Sequence, residues 1–313
     1  MRVTSRSTKG RGRERVIQGD RETLCQPRSV GGRQRRKGWD RERGRPSLTH
    51  GLFVDLLIKT HLRYAVPQPS DLLLQIEVLS DAQQTCRHTR LHLNKDLPQR
   101  EIPGADTAGP RRWVQCDALF DCRYETQVRI MRHEAPIETL PETPRLAIPG
   151  DVIPYMMPSR YCQSDLFLDF VATRFADLTG GALVNALSTW VSTHFTYDNS
   201  VSHSGTTATD SFASLSGVCR DYAHVLIALA RAGGIPARFV SAYAPDVRPQ
   251  DFHALVEVHL AGDWHIVDPT GMARPSEVAK ICVGRDAGDA SFLTSYGAID
   301  LIEQSVDVVR LPT

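Results

Sequence analysis

Cys219 lies in a stretch that could place a reactive thiol at the start of a helix. The stretch reads SGVCRDYAH (residues 216–224), and an apolar helical pattern follows it. The nucleophilic form of a cysteine is the thiolate, which a helix N-terminus and a neighbouring imidazole both favour. The sequence therefore predicts a nucleophilic cysteine at position 219.

Two later segments supply the other groups that acyl transfer by a thiol needs. His253 opens an alternating segment that ends at Leu260, and Asp268 ends a second one that begins at Asp263. If residues 261–262 form a hairpin turn, Leu260 pairs with Asp263, and His253 and Asp268 become diagonal neighbours on one face of the sheet. The carboxylate can then orient the imidazole toward the thiol. A three-residue loop would put Asp268 on the other face, so the register tests the prediction.

The charge of the chain is unevenly distributed. Residues 1–46 hold 15 Lys/Arg against 5 Asp/Glu, whereas the rest of the 313-residue chain holds 22 against 31. Because so basic and apolar-poor a segment cannot bury enough surface to fold, we predict that residues 1–46 are a disordered tail. Two alternatives stay open for this tail: an arm that binds nucleic acid or an anionic surface, and an extended start of the reading frame. The tail lacks the continuous apolar core of a secretory signal.

The cysteines and the apolar runs predict where the protein resides. No apolar run approaches the roughly 18 residues of a membrane-spanning helix, which argues against a membrane protein. An odd number of scattered cysteines without a Cys-x-x-Cys pair argues for reduced thiols, and hence for the cytoplasm. Apart from Cys219 we interpret them as small buried side chains, at positions 25, 86, 116, 122, 162 and 282.

The pattern of the chain predicts two folded parts joined by a linker. Strand-like segments between residues 52 and 132 predict a small antiparallel β-sandwich-like domain at 47–135. In the last of them the apolar face alternates with charged and polar side chains, and it consists of Tyr124, Thr126, Val128 and Ile130. Six prolines between 136 and 158 predict an extended linker or surface strap at 136–160. The catalytic domain would occupy 161–313.

Helical periodicity marks the start of this second part. One apolar stripe begins behind Ser164 and ends at Gly180-Gly181, and a second covers 183–195. A third helix begins at Cys219, is apolar nearly all the way round, and ends at Gly233-Gly234. We expect this third helix to be buried, with the thiol in its first turn.

Several ordered blocks of the sequence resemble the bacterial transglutaminase-like superfamily. They are GVCxDYAH (217–224), GIPARxVSxY (234–243), HAxVEV (253–258), WxxxDPT (264–270) and GRDAxDxxF (284–292) followed by Tyr296-Gly297. The resemblance covers most of 52–297. It implies a papain-like α+β core of helices packed on an antiparallel sheet, preceded by a β-rich domain, with Cys219 as nucleophile, His253 as base and acid, and Asp268 as orienting group. Leu255 departs from the aromatic residue that the family often has there, which puts the shape of the substrate groove in question.

The resemblance implies cysteine-dependent acyl transfer on a peptide or protein amide through a thioester. Water attack on the thioester would make a peptidase or amidase, and a lysine amine would make a transglutaminase. Tyr197 is a candidate second donor to the oxyanion, beside the backbone N–H of Cys219; the alternative is a packing residue with a solvated hydroxyl. We expect the Ser- and Thr-rich loop 198–210 to border the groove. The other function class is a non-catalytic module that binds a peptide in the same groove.

The remaining polar residues predict no further chemistry. We expect no cofactor and no metal, because close ligand pairs and glycine-rich phosphate loops are absent from the sequence. His224 is predicted to be a hydrogen-bonded core histidine, His259 and His265 to be strand residues with satisfied rings, and Glu257 to be an exposed strand carboxylate. The expected partner is a peptide or protein substrate, with no membrane. The basic tail is the only candidate for a nucleic-acid contact.

Overall fold

The computed structural model describes residues 53–94 and 97–312. The predicted tail at 1–46, with Cys25, lies outside the described residues and stays a prediction. In chain order the described strands are β1 (Val54–Ala65), β2 (Ser70–Leu74), β3 (Gln84–Leu93), β4 (Gln99–Ile102), β5 (Arg111–Cys116), β6 (Leu119–Ile130), β7 (Thr196–Tyr197), β8 (Ser216–Gly217), β9 (Ala237–Tyr243), β10 (His253–Leu260), β11 (Asp263–Val267), β12 (Ala279–Gly284), β13 (Leu293–Ser295) and β14 (Asp300–Arg310). The α-helices are α1 (Leu168–Arg174), α2 (Gly180–His194), α3 (Ala208–Ser214) and α4 (Cys219–Ala232).

The N-terminal strands form two four-stranded antiparallel sheets, in the orders β14-β1-β6-β3 and β13-β2-β5-β4. In β6 every second residue from Phe120 to Ile130 is buried, which confirms the predicted alternation. Apolar side chains of both sheets, such as Leu56 of β1 and Leu72 of β2, belong to one core. This is how a sandwich buries the inner faces of its sheets.

The last strands of the chain lie in these N-terminal sheets. β14 pairs with β1 from Leu56↔Arg310 to Ala65↔Asp300, and β13 pairs with β2. Residues 300–310, which are predicted to belong to the catalytic part, lie beside β1 instead. Such pairing between the ends of a chain depends on partners more than 200 residues away, which local periodicity does not reveal.

A third four-stranded antiparallel sheet, in the order β11-β10-β9-β12, forms the centre of the second part. Both faces of β10 are buried, and helix α4 packs against β9 and β10. Leu260 pairs with Asp263, which confirms the predicted hairpin register. The turn residues Ala261 and Gly262 have φ values of 52° and 85°, as a two-residue turn with positive φ at both central positions requires.

Helix α4 begins at Cys219 and is followed by Gly233 and Gly234, as predicted. Every residue from Asp221 to Arg231 is buried, so the helix is enclosed on all sides. Gly234 has a φ of +79°, which a residue without Cβ adopts at no steric cost. The antiparallel sheet with buried helix α4 confirms the predicted papain-like α+β core.

The smaller elements differ from the predicted ones. The helix predicted behind Ser164 is a 3-10 turn followed by the short α1, and α2 already begins at Gly180. The loop predicted at 198–210 runs into helix α3. Its N-cap is Thr207, which exchanges side-chain and backbone hydrogen bonds with Asp210.

The proline-rich segment forms a strap with three short 3-10 turns at Ile137–Thr139, Arg145–Ala147 and Ile153–Met156. It is held at both ends. The backbone N–H of Gly262 donates to the Thr143 hydroxyl at 3.0 Å, and the buried Arg231 of α4 donates to the carbonyl of Met157 and the hydroxyl of Ser159. The strap therefore fixes the β10–β11 turn and the end of α4. In the described part of the chain, no helix is long and apolar enough to cross a membrane.

Candidate active site

The thiol of Cys219 is positioned by the parallel strand pair β7–β8 and the first turn of α4. Tyr197 pairs with Gly217, and the chain then enters the helix at Cys219. The carboxylate of Asp221 reaches back and accepts a hydrogen bond from the backbone N–H of Val218 at 2.9 Å. A Cβ on Gly217 would lie 2.6 Å from this carboxylate, so only glycine lets the chain pass here. Cys219 thus lies in the first turn of α4, at the positive end of the helix dipole.

The other described cysteines are not suited to nucleophilic chemistry. Burial raises the pKa of Cys122, Cys162 and Cys282 to about 12, and it also raises the pKa of the half-buried Cys86. Cys219 is partly exposed. The predicted burial is correct for all the others except Cys86, whose side chain is intermediate.

His253, the first residue of β10, is paired with Asp268. Its Nε2 lies 2.9 Å from Oδ2 of Asp268, and the two side chains are 0% and 3% exposed. The other ring nitrogen, Nδ1, is buried and has no hydrogen-bond partner among the described residues. Burial alone would lower the pKa of His253, but the hydrogen bond to Asp268 and the negative charges of Cys219 and Asp268 raise it to about 10. The imidazole therefore holds its second proton at neutral pH.

Asp268 is fixed just past the end of β11 by four hydrogen bonds. Besides the imidazole of His253, the backbone N–H and hydroxyl of Thr270 donate to Oδ1 at 2.9 and 2.7 Å, and the N–H of Ala273 donates to Oδ2 at 2.8 Å. Burial opposes ionisation, but these donors and the charge of His253 lower the pKa of Asp268. The carboxylate is therefore ionised and rigidly oriented. The sequence does not reveal Ala273 as a supporting donor, whereas its Asp-Pro-Thr block contains a signal for Thr270.

Tyr197 lies beside the thiol because β7 and β8 run in parallel, and its neighbour Asp198 donates a backbone hydrogen bond to Gly217 at 3.0 Å. Burial and the charge of Cys219 raise the pKa of the Tyr197 phenol. The hydroxyl therefore keeps its proton at neutral pH.

Cys219 and His253 open into one groove of about 470 Å³. One wall is the loop with Asn199, Ser202, His203 and Ser204, as predicted for the 198–210 segment. The opposite wall comes from residues 287–293, where Phe292 stacks on Phe252 at 4.3 Å between ring centroids. Gln304 of β14 also lines the groove, so the C-terminal strand contributes to the site.

The comparisons with known proteins agree with this geometry. Residues 171–269 match the family described as the transglutaminase-like superfamily. This segment is a transglutaminase-like domain. The match confirms the resemblance inferred from the sequence blocks, and it includes Cys219, His253 and Asp268.

Two relatives extend the comparison beyond this domain. The solved structure of a proposed cysteine protease from Cytophaga hutchinsonii is 28% identical, with a TM-score of 0.77, and the match covers 84% of this chain and 94% of that one. An uncharacterized protein of Mycobacterium leprae, ML0607, is 29% identical over 141 residues, which are 41% of this chain. The matched part spans 50% of the length of that relative.

Three other histidines of the transglutaminase-like domain have structural contacts, as predicted: His224, His259 and His265. His224 is fully buried, stacks on Tyr161 at 5.2 Å, and accepts a hydrogen bond from the backbone N–H of Ala287 at 3.2 Å. Burial lowers the pKa of His224 to about 3, so it is neutral. His259 contacts the Thr143 hydroxyl at 3.2 Å, and His265 contacts a backbone carbonyl at 3.2 Å.

Glu257 of the transglutaminase-like domain is buried, which corrects the prediction of an exposed carboxylate. It is 1% exposed, and its two oxygens accept hydrogen bonds from Arg238 at 2.7 Å and Lys280 at 3.1 Å. Burial alone would raise the pKa of Glu257, but the two cations lower it. The prediction failed because the partners lie on β9 and β12, out of reach of a pattern along β10.

Replacing Glu257 with Gln is expected to lower the free energy of unfolding by about 3–5 kcal/mol, because two cations would lose their buried counter-charge. Urea unfolding at pH 7 measures this loss. The matched control is Glu125→Gln, whose partner Lys59 is 53% exposed and whose loss should hardly move the midpoint. A Glu257→Gln midpoint equal to that of the control would contradict the assigned role.

Among residues 53–94 and 97–312, no three His, Cys, Asp or Glu side chains come together as metal ligands would. His253 and Asp268 are joined by a hydrogen bond instead, and Cys219 lines the same groove as His253. Such an arrangement suits proton transfer.

Proposed function

We propose that this chain is an enzyme that transfers or hydrolyses the acyl group of peptide or protein amides through a thioester on Cys219. The transglutaminase-like fold and the likeness to a proposed cysteine protease support a cysteine-dependent catalytic function in general. The observation that carries the finer proposal is the buried His253–Asp268 hydrogen bond. It leaves the second imidazole nitrogen without a partner among the described residues, in the groove that Cys219 lines.

In the first half of the reaction, the Cys219 thiolate attacks the amide carbonyl carbon and a carbon–sulfur bond forms. As the carbon–nitrogen bond breaks, the imidazolium of His253 gives its proton to the departing amine. Asp268 holds the ring in orientation and stabilises its positive charge, which the raised pKa of His253 expresses. Asp268 does not itself take up a proton.

The carbonyl oxygen becomes negatively charged at each addition step. The backbone N–H of Cys219 is the first donor to this oxyanion, and the hydroxyl of Tyr197 is the second. The pairing of Tyr197 with Gly217 supports this assignment, because it places the tyrosine beside a residue two positions before the nucleophile in the chain, near enough for the charge of Cys219 to raise the pKa of the phenol. Its raised pKa supports it too, since a donor must keep its proton.

In the second half, water attacks the thioester and His253, now neutral, takes up its proton. The carbon–sulfur bond breaks, the carboxylic acid leaves, and the thiolate is regenerated. We propose hydrolysis as the main outcome, supported by the likeness to a proposed cysteine protease. The same thioester would yield a transamidation product if a lysine amine replaced water.

The proposed partner is a peptide or protein substrate, and the proposed location is the cytoplasm. Six cysteines of the described chain form no disulfide, which supports a reducing compartment.

Alkylation of Cys219 by iodoacetamide tests the ion pair. We expect the thiol to react well below pH 8 and to lose most of that reactivity in His253→Ala, because the imidazolium stabilises the thiolate. Mass spectrometry of the alkylated peptide measures the rate. The matched control is His265→Ala, whose ring contacts a backbone carbonyl. Reactivity that rises only above about pH 8, as in an ordinary cysteine, would favour the non-catalytic peptide-binding module.

A peptide library distinguishes the two acyl acceptors. The protein is incubated with the library, with and without a primary amine, and mass spectrometry records cleavage, deamidation or amine adducts, with Cys219→Ala as the control. Cleavage or deamidation alone supports hydrolysis, whereas amine adducts assign a transglutaminase. The absence of all three would contradict the enzymatic proposal.

A further inference from the structure

The groove that contains Cys219 and His253 has one cation and one carboxylate that do not belong to the proposed triad. Among the described residues that line the groove, these are Arg220 and Asp251. His203 also lines it, and the remaining side chains are apolar or neutral. The charges of Arg220 and Asp251 therefore dominate the electrostatics of the groove outside the triad.

Arg220 is anchored so that part of its guanidinium faces the groove. Its Nη2 donates hydrogen bonds to the Ser202 hydroxyl at 2.9 Å and to the backbone carbonyl of His203 at 2.5 Å. Within the described residues, Nη1 donates no hydrogen bond, and the Arg220 side chain is 28% exposed. The guanidinium is thus positioned in advance, with donors left over for a ligand.

The ion pair with the buried Asp221 engages only the Nε edge of this guanidinium. No carboxylate of the described chain lies within hydrogen-bond distance of Arg220. Asp221 is 3.8 Å from Nε, and both the Nε of Arg220 and the Oδ1 of Asp221 are buried without a hydrogen-bond partner among the described residues. A cation in the first turn of a helix is also opposed by the helix dipole.

We propose that Arg220 determines specificity by binding a carboxylate of the amide substrate, close to the bond that is cut. The proposal rests on the proposed function, because Arg220 directly follows the nucleophile. The planar guanidinium matches a carboxylate with two parallel hydrogen bonds. The carboxylate is either an acidic side chain next to the scissile amide or the free α-carboxylate of the peptide.

Asp251 gives this recognition a direction. It lies two residues before His253, and its Oδ1 accepts hydrogen bonds from the backbone N–H of Phe252 and from Gln304, both at 2.7 Å. Its negative charge repels an anion from the His253 end of the groove. The substrate carboxylate therefore binds at the Arg220 end, and the same polarity disfavours a basic side chain there.

Matched peptide libraries test the proposal. One library contains Glu and Asp, and the second is identical except that Gln and Asn replace them. Each is made with free and with amidated C-termini. We expect the protein to cleave the carboxylate-containing members with a kcat/KM about 10- to 100-fold higher, mainly through KM, since the contact is present before and during the reaction.

Arg220→Gln is expected to lose this preference while still cleaving the neutral library at a rate within a few-fold of the original. Arg220→Lys should restore part of it, and Arg123→Gln, on the exposed face of β6, is the matched control. A preference for side-chain carboxylates or for free C-termini identifies which source Arg220 binds. Equal losses for both libraries in Arg220→Gln would assign a structural role instead and overturn the proposal.

The same experiment separates this inference from the proposed function. Cleavage of both libraries at equal rates would overturn the carboxylate preference and leave the thioester chemistry intact. No cleavage of either library, together with alkylation that does not depend on His253, would overturn both. Alkylation of Arg220→Gln by iodoacetamide shows independently that the nucleophile is still functional in the variant.

Discussion

Replacing Cys219 with Ala is expected to lower amide hydrolysis by about 10⁴-fold or more, because no thioester can form and no second cysteine lines the described groove. The side chain is partly exposed in the first turn of α4, so its truncation should leave the thermal midpoint close to that of the original protein. Activity and thermal unfolding, measured on the same preparations, separate chemistry from folding.

Two controls define the expected result for Cys219. Cys86→Ala removes another thiol that is partly exposed, on β3 and outside the groove, and should keep full activity. The thioester itself is observed as an increase in the mass of the intact protein after rapid acid quenching, and it should be absent from Cys219→Ala. An alanine variant with half or more of the original rate would mean that the nucleophile is another group.

The elements that hold the proposed triad could be predicted from the sequence because their signals are local. Helix α4 begins at Cys219 and ends before a glycine pair, and β10 and β11 have the predicted hairpin register. In each case a short repeat of apolar residues indicates the element and a nearby turn residue indicates where it ends, all within about twenty residues of the chain. The convergence of His253 with Asp268 followed from this register alone.

Contacts between distant segments could not be predicted in the same way. Glu257 belongs to an alternating strand, yet its carboxylate is buried because Arg238 and Lys280 come from neighbouring strands. Likewise Gln304 enters the groove only because β14 returns to pair with β1. A single sequence without its relatives contains the periodicity of each strand but not the order of the strands in the sheet.

Helix α3 has a local signal in the sequence, yet it was not predicted. It lies in a segment rich in Ser and Thr that resembled a loop, and its apolar residues are too few for a clear helical stripe. The capping interaction between Thr207 and Asp210 was a readable signal at the right spacing. Composition outweighed this signal in the prediction, although the cap marks where the helix begins.

The second large effect is expected in the pH dependence of the proposed reaction. This dependence reports specifically on the role of Asp268. The pKa of His253 is raised to about 10, so the imidazolium that is proposed to protonate the leaving amine persists until the pH approaches that value. We expect kcat/KM for an amide substrate to fall on the alkaline side near pH 10. The pKa of Asp268 is lowered, so this carboxylate stays ionised across the neutral range.

In Asp268→Ala the imidazolium loses its hydrogen bond and its counter-charge, so the alkaline fall should move toward the ordinary histidine pKa of about 6.5. Activity at neutral pH should drop by about 10²–10⁴-fold, since the ring also loses its orientation. Asp268→Asn keeps an acceptor without the charge and should lie between the two. Profiles of kcat/KM from pH 5 to 11 measure both effects, with Asp55→Asn, a carboxylate of lowered pKa on the N-terminal sheet, as the control. An alkaline fall at the same pH in Asp268→Ala and the original protein would mean that Asp268 does not stabilise the charged imidazole.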